Sequence, residues 1–281
     1  MAITDFPVVK FSCRIELLMP IRCEIEFPRL CEDEMRAIDY VVMGHAFDTH
    51  NELGRLCDES VYQRELLRRL RIAGIDAAIE VPIMLSFREF SIGRALDLVI
   101  ARKVIYELKT VSELLKSHEG QLLGYLYLTN STRGKLVNFR TVSVESRFVN
   151  TTFDRLERQT FRFDDRDYTG YKFLSTLIRE LVEDWGTGLN ASLYHRAILG
   201  CVDGAVDGEQ FLPMVSGGQS VGNQRFHLLS SDTALGVTTY SNPSPENINE
   251  FNKLIMLCPL KQLHWVNIYH HHVSLVTINK L

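Results

Sequence analysis

Gly93-Arg94-Ala95-Leu96-Asp97-Leu98-Val99-Ile100, followed by Val104-Ile105-Tyr106-Glu107-Leu108-Lys109, is the stretch that decides the fold. Two apolar runs of this length, split by Arg102-Lys103, predict the two strands of a hairpin. Asp97 puts a charge inside the first strand. Glu107 and Lys109 lie two apart, hence on one face of the second. Burying three charges at a strand end is costly unless something pairs with them. A divalent cation together with a phosphate would do so. Taken alone, the three residues read equally as a salt-bridge cluster on an edge strand.

Working outward, residues 32–52 predict a helix, with Met35, Ile38, Val41, Val42 and Ala46 near helical spacing and Gly54 ending it. Asp58 suits an N-cap. Val61, Tyr62, Leu66, Leu67 and Leu70 then form a stripe, opposite Arg64, Arg68 and Arg71. Ala78 to Phe87 reads as a strand. Ser112 to Leu128 reads as a helix capped by Ser112, with Leu114, Leu115, Leu122 and Tyr125 inward. Lys135–Phe139 and Val142–Phe148 read as closing strands. Helix, three strands, helix, two strands is an α/β or α+β domain on one central mixed sheet.

The expected organisation is a leader over 1–30, this domain over 31–150, a charged linker over 151–170, and a C-terminal unit over 171–281. The last contains helices at Tyr171–Trp185 and Leu189–Leu199, strands, a helix after Pro245, and two final strands. Met19-Pro20 reads as an alternative start.

The 281 residues, 46% hydrophobic, provide a sizeable core. No apolar stretch approaches the roughly 18 residues that span a bilayer, and no signal peptide is evident. The six cysteines form no CxxC pair, as expected of reduced thiols in a cytoplasmic protein. Net charge is −4, which by itself argues against generic nucleic-acid binding. Residues 60–150, however, carry 14 Lys and Arg against 9 Asp and Glu, a net of +5, leaving −9 elsewhere. That places a basic surface around the candidate site, unless it is an ordinary solvated face.

The residues from Asp39 to Phe148 resemble the GxxExxY protein family, a branch of the PD-(D/E)XK nuclease superfamily. The resemblance rests on His50-Asn51-Glu52-Leu53-Gly54, Glu59-Ser60-Val61-Tyr62, Gly93 to Ile100, Val104 to Lys109, Gln121 within His118 to Leu126, and Gly134 to Phe139. One departure is that four residues separate Gly54 from Glu59 where the family name implies two. The resemblance implies a mixed sheet flanked by helices, a site at a splayed strand edge, and magnesium-dependent hydrolysis of phosphodiester bonds, with manganese a possible substitute.

Such chemistry needs a hard cation held by carboxylate oxygens. Asp97 and Glu107 are the expected ligands, with the Leu108 carbonyl a third and Glu59 completing the shell directly or through water. Lys109 is expected to orient the attacking water or stabilise the phosphorane charge. Gln121 would orient Lys109, water or substrate, and Tyr62 would support Glu59. Arg64, Arg68, Arg94 and Lys116 are the candidate nucleic-acid contacts. DNA is favoured over RNA as substrate. A non-catalytic nucleic-acid-binding or regulatory module on the same fold is the alternative. No membrane partner is expected.

His270-His271-His272, near His264, would alternate faces on a solvated strand. Gly217, Gly218 and Gly222 read as a turn.

The C-terminal half reads as a second, degenerate copy. Residues 53–64 (LGRLCDESVYQR) align with 185–196 (WGTGLNASLYHR) at an offset of 132. Ser91-Ile92-Gly93 aligns with Ser220-Val221-Gly222, and Leu136 to Phe139 with Trp265 to Ile268, at 129. Glu59 falls on Ala191, Asp97 on Phe226 or His227, the Glu-x-Lys strand near Gly236 to Thr239, and Gln121 near Glu250. The expectation is a pseudo-dimer within one chain, or a homodimer, with only the first copy equipped for chemistry.

Overall fold

In the computed structural model, which describes residues 20–206 and 209–280, the hairpin of the opening stretch lies at the centre of a six-stranded sheet. The chain runs β1 (Ile21–Cys23), α1 (Glu32–Leu53), α2 (Glu59–Ile72), β2 (Ala77–Phe87), β3 (Phe90–Ile100), β4 (Val104–Lys109), α3 (Lys116–Thr129), β5 (Arg133–Asn138) and β6 (Glu145–Asn150). These strands pair in sequence order, all antiparallel except β4 and β5, which are parallel and joined through α3. β4 is buried throughout. A central strand covered on both faces must be apolar on both, which is why the run reads continuously rather than in alternation.

The second half contains α4 (Arg155–Gln159), β7 (Arg162–Asp164), α5 (Lys172–Trp185), α6 (Ala191–Gly200), β8 (Gln210–Ser216), β9 (Gln219–Phe226), β10 (Leu228–Ser230), β11 (Thr233–Thr238), α7 (Pro245–Met256), β12 (Gln262–Tyr269) and β13 (His272–Asn279). Its main sheet has the order β10-β11-β12-β13-β7, with β8 and β9 as a separate hairpin.

Several expectations need correction. Of the expected leader, residues 1–19 lie outside the described residues, and β1 is an edge strand of the first sheet. The expected linker carries α4 and β7, and β7 pairs in parallel with β13. Asp58 stands at the N-cap of α2 without a side-chain cap bond. α3 begins at Lys116 rather than Ser112, because the His118 imidazole accepts the Leu115 N–H at 3.0 Å and closes the helix start there. Leu115 is therefore exposed, not inward. His270 and His271 form the β12–β13 turn, with His270 at φ 43°, rather than a strand.

Three cores stack in layers. α1 and α2 cover one face of the first sheet, enclosing Tyr62, Leu66, Leu70, Leu98, Tyr106, Leu108, Val137 and Phe139. On the other face, α3, α5 and α6 fill the space between the two sheets in one continuous core. α7 covers the far face of the second sheet. The burial of each large apolar side chain contributes about 1.5–3 kcal/mol. Gly134 permits the close approach of α3 to the sheet. A Cβ there would meet Ile105 O at 2.9 Å and Leu122 Cδ1 and Leu126 Cδ2 at 3.1 Å. On the opposite face, Lys135 Nζ reaches Asp39 at 2.6 and 2.8 Å and ties α1 to β5.

The two halves share registers. β4–β5 pairs Ile105 with Gly134 and Lys109 with Asn138, and β11–β12 pairs Ala234 with Leu263 and Thr238 with Asn267, all displaced by 129. β5–β6 and β12–β13 both end on rungs displaced by 129, Arg133–Asn150 and Gln262–Asn279. Side-chain devices recur as well. Tyr62 OH donates to Gly54 O at 2.7 Å and accepts the Cys57 N–H at 3.2 Å; Tyr194 OH does the same with Gly186 O at 2.5 Å and the Leu189 N–H at 3.2 Å. Asn138 brackets both backbone groups of Val111, and Asn267 brackets both of Tyr240.

The halves stack in tandem. The α3 face of the first meets the α5–α6 face of the second. Two different faces meet, so the contact is heterologous and not the two-fold arrangement that "pseudo-dimer" implies.

Candidate active site

The β3–β4 hairpin is paired only from Leu98–Tyr106 to Ile100–Val104. Beyond that, β4 follows β5 as far as Lys109–Asn138 and β3 departs. The opening leaves the Leu108 N–H without a strand partner, and Asp97 Oδ2 accepts it at 2.9 Å. The N–H and C=O of one strand residue share an edge, so the Leu108 carbonyl faces the same opening. Lys109 Nζ donates to Glu107 Oε1 at 2.7 Å.

The cause of the opening is visible in which core each side chain joins. On β2, Val81, Ile83, Leu85 and Phe87 enter the core between the sheets, whereas Ala77 and Ile79 enter the α1–α2 core. On β3, Ile92 and Leu96 enter the first, and Leu98 and Ile100 the second. Regular alternation would keep residues of one parity on one face. Both strands therefore change faces at the same rung, at Glu80 and Asp97, with Glu80 at φ 52°. A local irregularity of this kind re-aims side chains. Gln63 of α2 spans the rung. Its Nε2 donates to Glu80 Oε1 and to Asp97 O, each at 2.8 Å.

Glu107 is 0% exposed, and its Oε2 has no hydrogen-bond partner among the described residues. Burial, then the neighbouring Asp97, pushes its carboxyl up to about 8 against the opposing pull of Lys109. Burial raises Asp97 to about 6; Lys109 and the Leu108 N–H oppose the rise, and Glu59 and Glu80 add to it. Glu59 is raised by burial, opposed by Lys109 and the Thr110 N–H. Burial disfavours the Lys109 ammonium, but Glu107, Asp97 and Glu59 outweigh it and hold the proton more tightly than usual. Carboxyl groups that resist ionising together lose that penalty when a cation joins them. The donors, carboxylates plus one carbonyl, suit a hard divalent ion. Among the described residues, no three His, Cys, Asp or Glu are already gathered at ligand spacing. The acids are electrostatic neighbours, and Glu107 Oε2 is the buried oxygen among them that no described residue bonds.

Gln121 stands on α3 and hydrogen-bonds the Tyr125 hydroxyl, which also feels the charges of Glu107 and Asp97. Tyr125 reads in the sequence only as an inward residue of the helix, although it lies four residues, one helical turn, after Gln121. Gln63 was missed, four residues after Glu59. Glu80 interrupts an apolar run just as Asp97 does, and that was its only signal. Tyr62 is corrected: it is fully buried, stacks on Phe139 at 4.6 Å, and clasps the α1–α2 loop rather than Glu59.

Of the expected nucleic-acid contacts, Arg68 is held by Glu65 and Arg64 by Ser60 of its own helix. Lys116 is exposed at the start of α3. Arg94 lies near Tyr125 and near Arg196 of the second half. The histidines do not converge: His271 Nδ1 contacts Thr160 O at 2.9 Å, while His264 is buried beside Thr277. The described cysteines are free thiols. Among the described residues, no helix is long and apolar enough to cross a membrane.

No curated protein matches the chain. The family model of the PD-(D/E)XK nuclease superfamily matches residues 36–150, the segment that carries α1 to β6 and every acid of the splayed edge. Residues 36–150 are a domain of the PD-(D/E)XK nuclease superfamily, a superfamily of hydrolases that cut nucleic acids.

Proposed function

We propose that this domain is an active nuclease of the GxxExxY branch that hydrolyses phosphodiester bonds with the help of magnesium or manganese, with DNA the first substrate to test. One observation carries the reading: Asp97, Glu107 and Lys109 are all present at the splayed edge, and Glu107 Oε2 is buried without a partner among the described residues. Asp97 and Glu107 would hold the cation, with the Leu108 carbonyl and Glu59 completing its shell. A divalent ion, when bound, supplies Lewis acidity and lowers the pKa of water. Lys109 keeps its proton and sets positive charge where a phosphorane gains negative charge. The Gln121–Tyr125 pair borders the opening and orients what enters it.

The second half supports a duplication that kept the scaffold and lost the chemistry. At the shared offsets, Glu59 corresponds to Ala191, Asp97 to Phe226, Glu107 to Gly236, Lys109 to Thr238 and Gln121 to Glu250. β9 and β10 together correspond to β3 and break at His227, beside the position of Asp97. The emptied copy argues against the alternative of a purely binding module for the first half, since decay on this scaffold removes these residues.

The test is cleavage of plasmid and single-stranded DNA, with RNA in parallel, in magnesium or manganese. Asp97→Ala and Lys109→Ala are each expected to lose at least ~10²-fold in rate. Equal residual activity in wild type and both variants would remove the reading.

A further inference from the structure

Two histidines of the second half do meet. His195 of α6 and His227, at the break between β9 and β10, have ring centroids 4.0 Å apart and planes at 62°. Leu235 of β11 fixes both. Its N–H donates to the His227 carbonyl at 2.8 Å, and its carbonyl accepts a hydrogen bond from the His195 ring. The buried His195 Nε2 has no hydrogen-bond partner among the described residues, so the ring donates from Nδ1 and keeps a bare lone pair on Nε2. Burial, and after it His227, makes this ring hard to protonate. A ring contact alone does not require that lone pair to be sealed from water, which costs free energy. An imidazole held through one nitrogen by a backbone carbonyl, with the other nitrogen bare, is the arrangement of a metal ligand.

A carboxylate stands beside the pair. Glu209 Oε1 lies 3.9 Å from His227 Nε2, too far for a hydrogen bond. Two ligand atoms on one tetrahedral zinc ion, each about 2.0–2.1 Å from it, are about 3.3 Å apart, so Glu209 is within about an ångström of ligand spacing. Arg225 Nη1 steadies the same oxygen at 3.0 Å. At the offset of 132, His195 falls on Gln63, and His227 stands beside the position of Asp97. In the first half Gln63 reaches the Asp97 carbonyl; in the second, two imidazoles make that contact. Imidazoles with one carboxylate suit zinc rather than magnesium. We propose that His195 and His227, closed by Glu209, form a zinc-binding site in the second half. The ion would tie α6, which packs on β3 of the first half, to the β9–β10 break.

The experiment titrates the full-length chain, without an affinity tag, with Co²⁺ as the probe. Tetrahedral nitrogen coordination gives Co²⁺ a strong visible band that a six-coordinate oxygen site does not. Wild type and Asp97→Ala are both expected to show the band, saturating at one Co²⁺ per chain and lost on adding Zn²⁺. His195→Gln and His227→Gln are each expected to lose it. Glu209→Gln guards against misfolding as an explanation, because the side chain is exposed. Its Tm in chelator is expected to match wild type while Co²⁺ binds at least ~10-fold more weakly. The band at wild-type affinity in any of these three variants would overturn the assignment, as would no band in wild type. Its loss in Asp97→Ala would put the ion on the first half and overturn the assignment too. A band that behaves as expected upholds the site whether or not the chain cleaves DNA, so the nuclease reading stands or falls separately.

Discussion

Asp97 and Glu107 hold protons that surface carboxylates would have lost. Their folded values, about 6 and about 8, lie above those of unfolded carboxylates. Between roughly pH 4 and pH 8 the native state therefore binds more protons than the unfolded one, and stability without a cation falls as pH rises through that window. A cation competes with the same protons, so its affinity rises over the same range. Mn²⁺ affinity is expected to increase steadily from pH 6 to pH 8, and chelation at pH 8 to lower Tm. Asp97→Asn removes one of the repelling charges. In chelator at pH 8 it is expected to stabilise the fold by about 1–2 kcal/mol, allowing for solvent screening in the half-open cleft, while cleavage is lost. Thermal melts across pH check this. A wild-type Tm that rises from pH 5 to pH 8 in chelator, with Asp97→Asn less stable throughout, would contradict the assigned repulsion.

The tyrosine clasps test the duplication at the level of one loop and one helix. Tyr62 and Tyr194 each hold the glycine that ends the preceding helix and an N–H three residues on. Removing the Tyr194 hydroxyl leaves a buried carbonyl and a buried N–H unsatisfied, so Tyr194→Phe is expected to cost about 1–3 kcal/mol by denaturant titration, and Tyr62→Phe, whose partners at Gly54 and Cys57 are only part-buried, less than that. A neutral Tyr194→Phe would break the equivalence. The clasp also marks where sequence reading reached its limit. Helical spacing placed Tyr62 correctly on α2, but a tyrosine one turn from Glu59 does not reveal whether its hydroxyl turns to the acid or to the loop. The β3–β4 hairpin, the acid-x-Lys face and the offsets of 132 and 129 were legible because each is a periodic or spacing signal. The face change at Glu80 and Asp97 was not. Both strands shift together, so the register on either side is undisturbed, and the backbone of Glu80 and the cores that the side chains join mark the change. The end of α3 nearest the site was misplaced for a local reason, a histidine acting where a serine cap was expected.

At the scale of the whole molecule, tandem stacking brings the second half against the strand that carries Asp97. α6 lies across β3, with Gly200 against Phe90, where a Cβ would come within 2.6 Å of the ring. Arg94 lies two strand alternations beyond Phe90, and Arg196 one helical turn before Gly200, so the packing that seats glycine on phenylalanine brings the two arginines together. Burial first, then Arg196, holds the Arg94 guanidinium below its usual value, while Tyr125 of the site pulls the other way. Neither arginine has an ion-pair partner among the described residues. Two cations held together without a carboxylate, at the seam between the halves and beside Tyr125, suit a backbone phosphate of the substrate. Arg68, already held by Glu65, does not. In an Asp97→Ala background, DNA binding followed by fluorescence anisotropy across a salt series is expected to lose about one unit from the slope of log K against log salt for Arg94→Ala, and the same for Arg196→Ala. Arg68→Ala should leave the slope unchanged, and Mn²⁺ binding should be the same with Arg94 or Arg196 replaced. If Arg196→Ala keeps the parental slope, the substrate path does not cross the seam. The second half would then serve the first only by covering its α3 face.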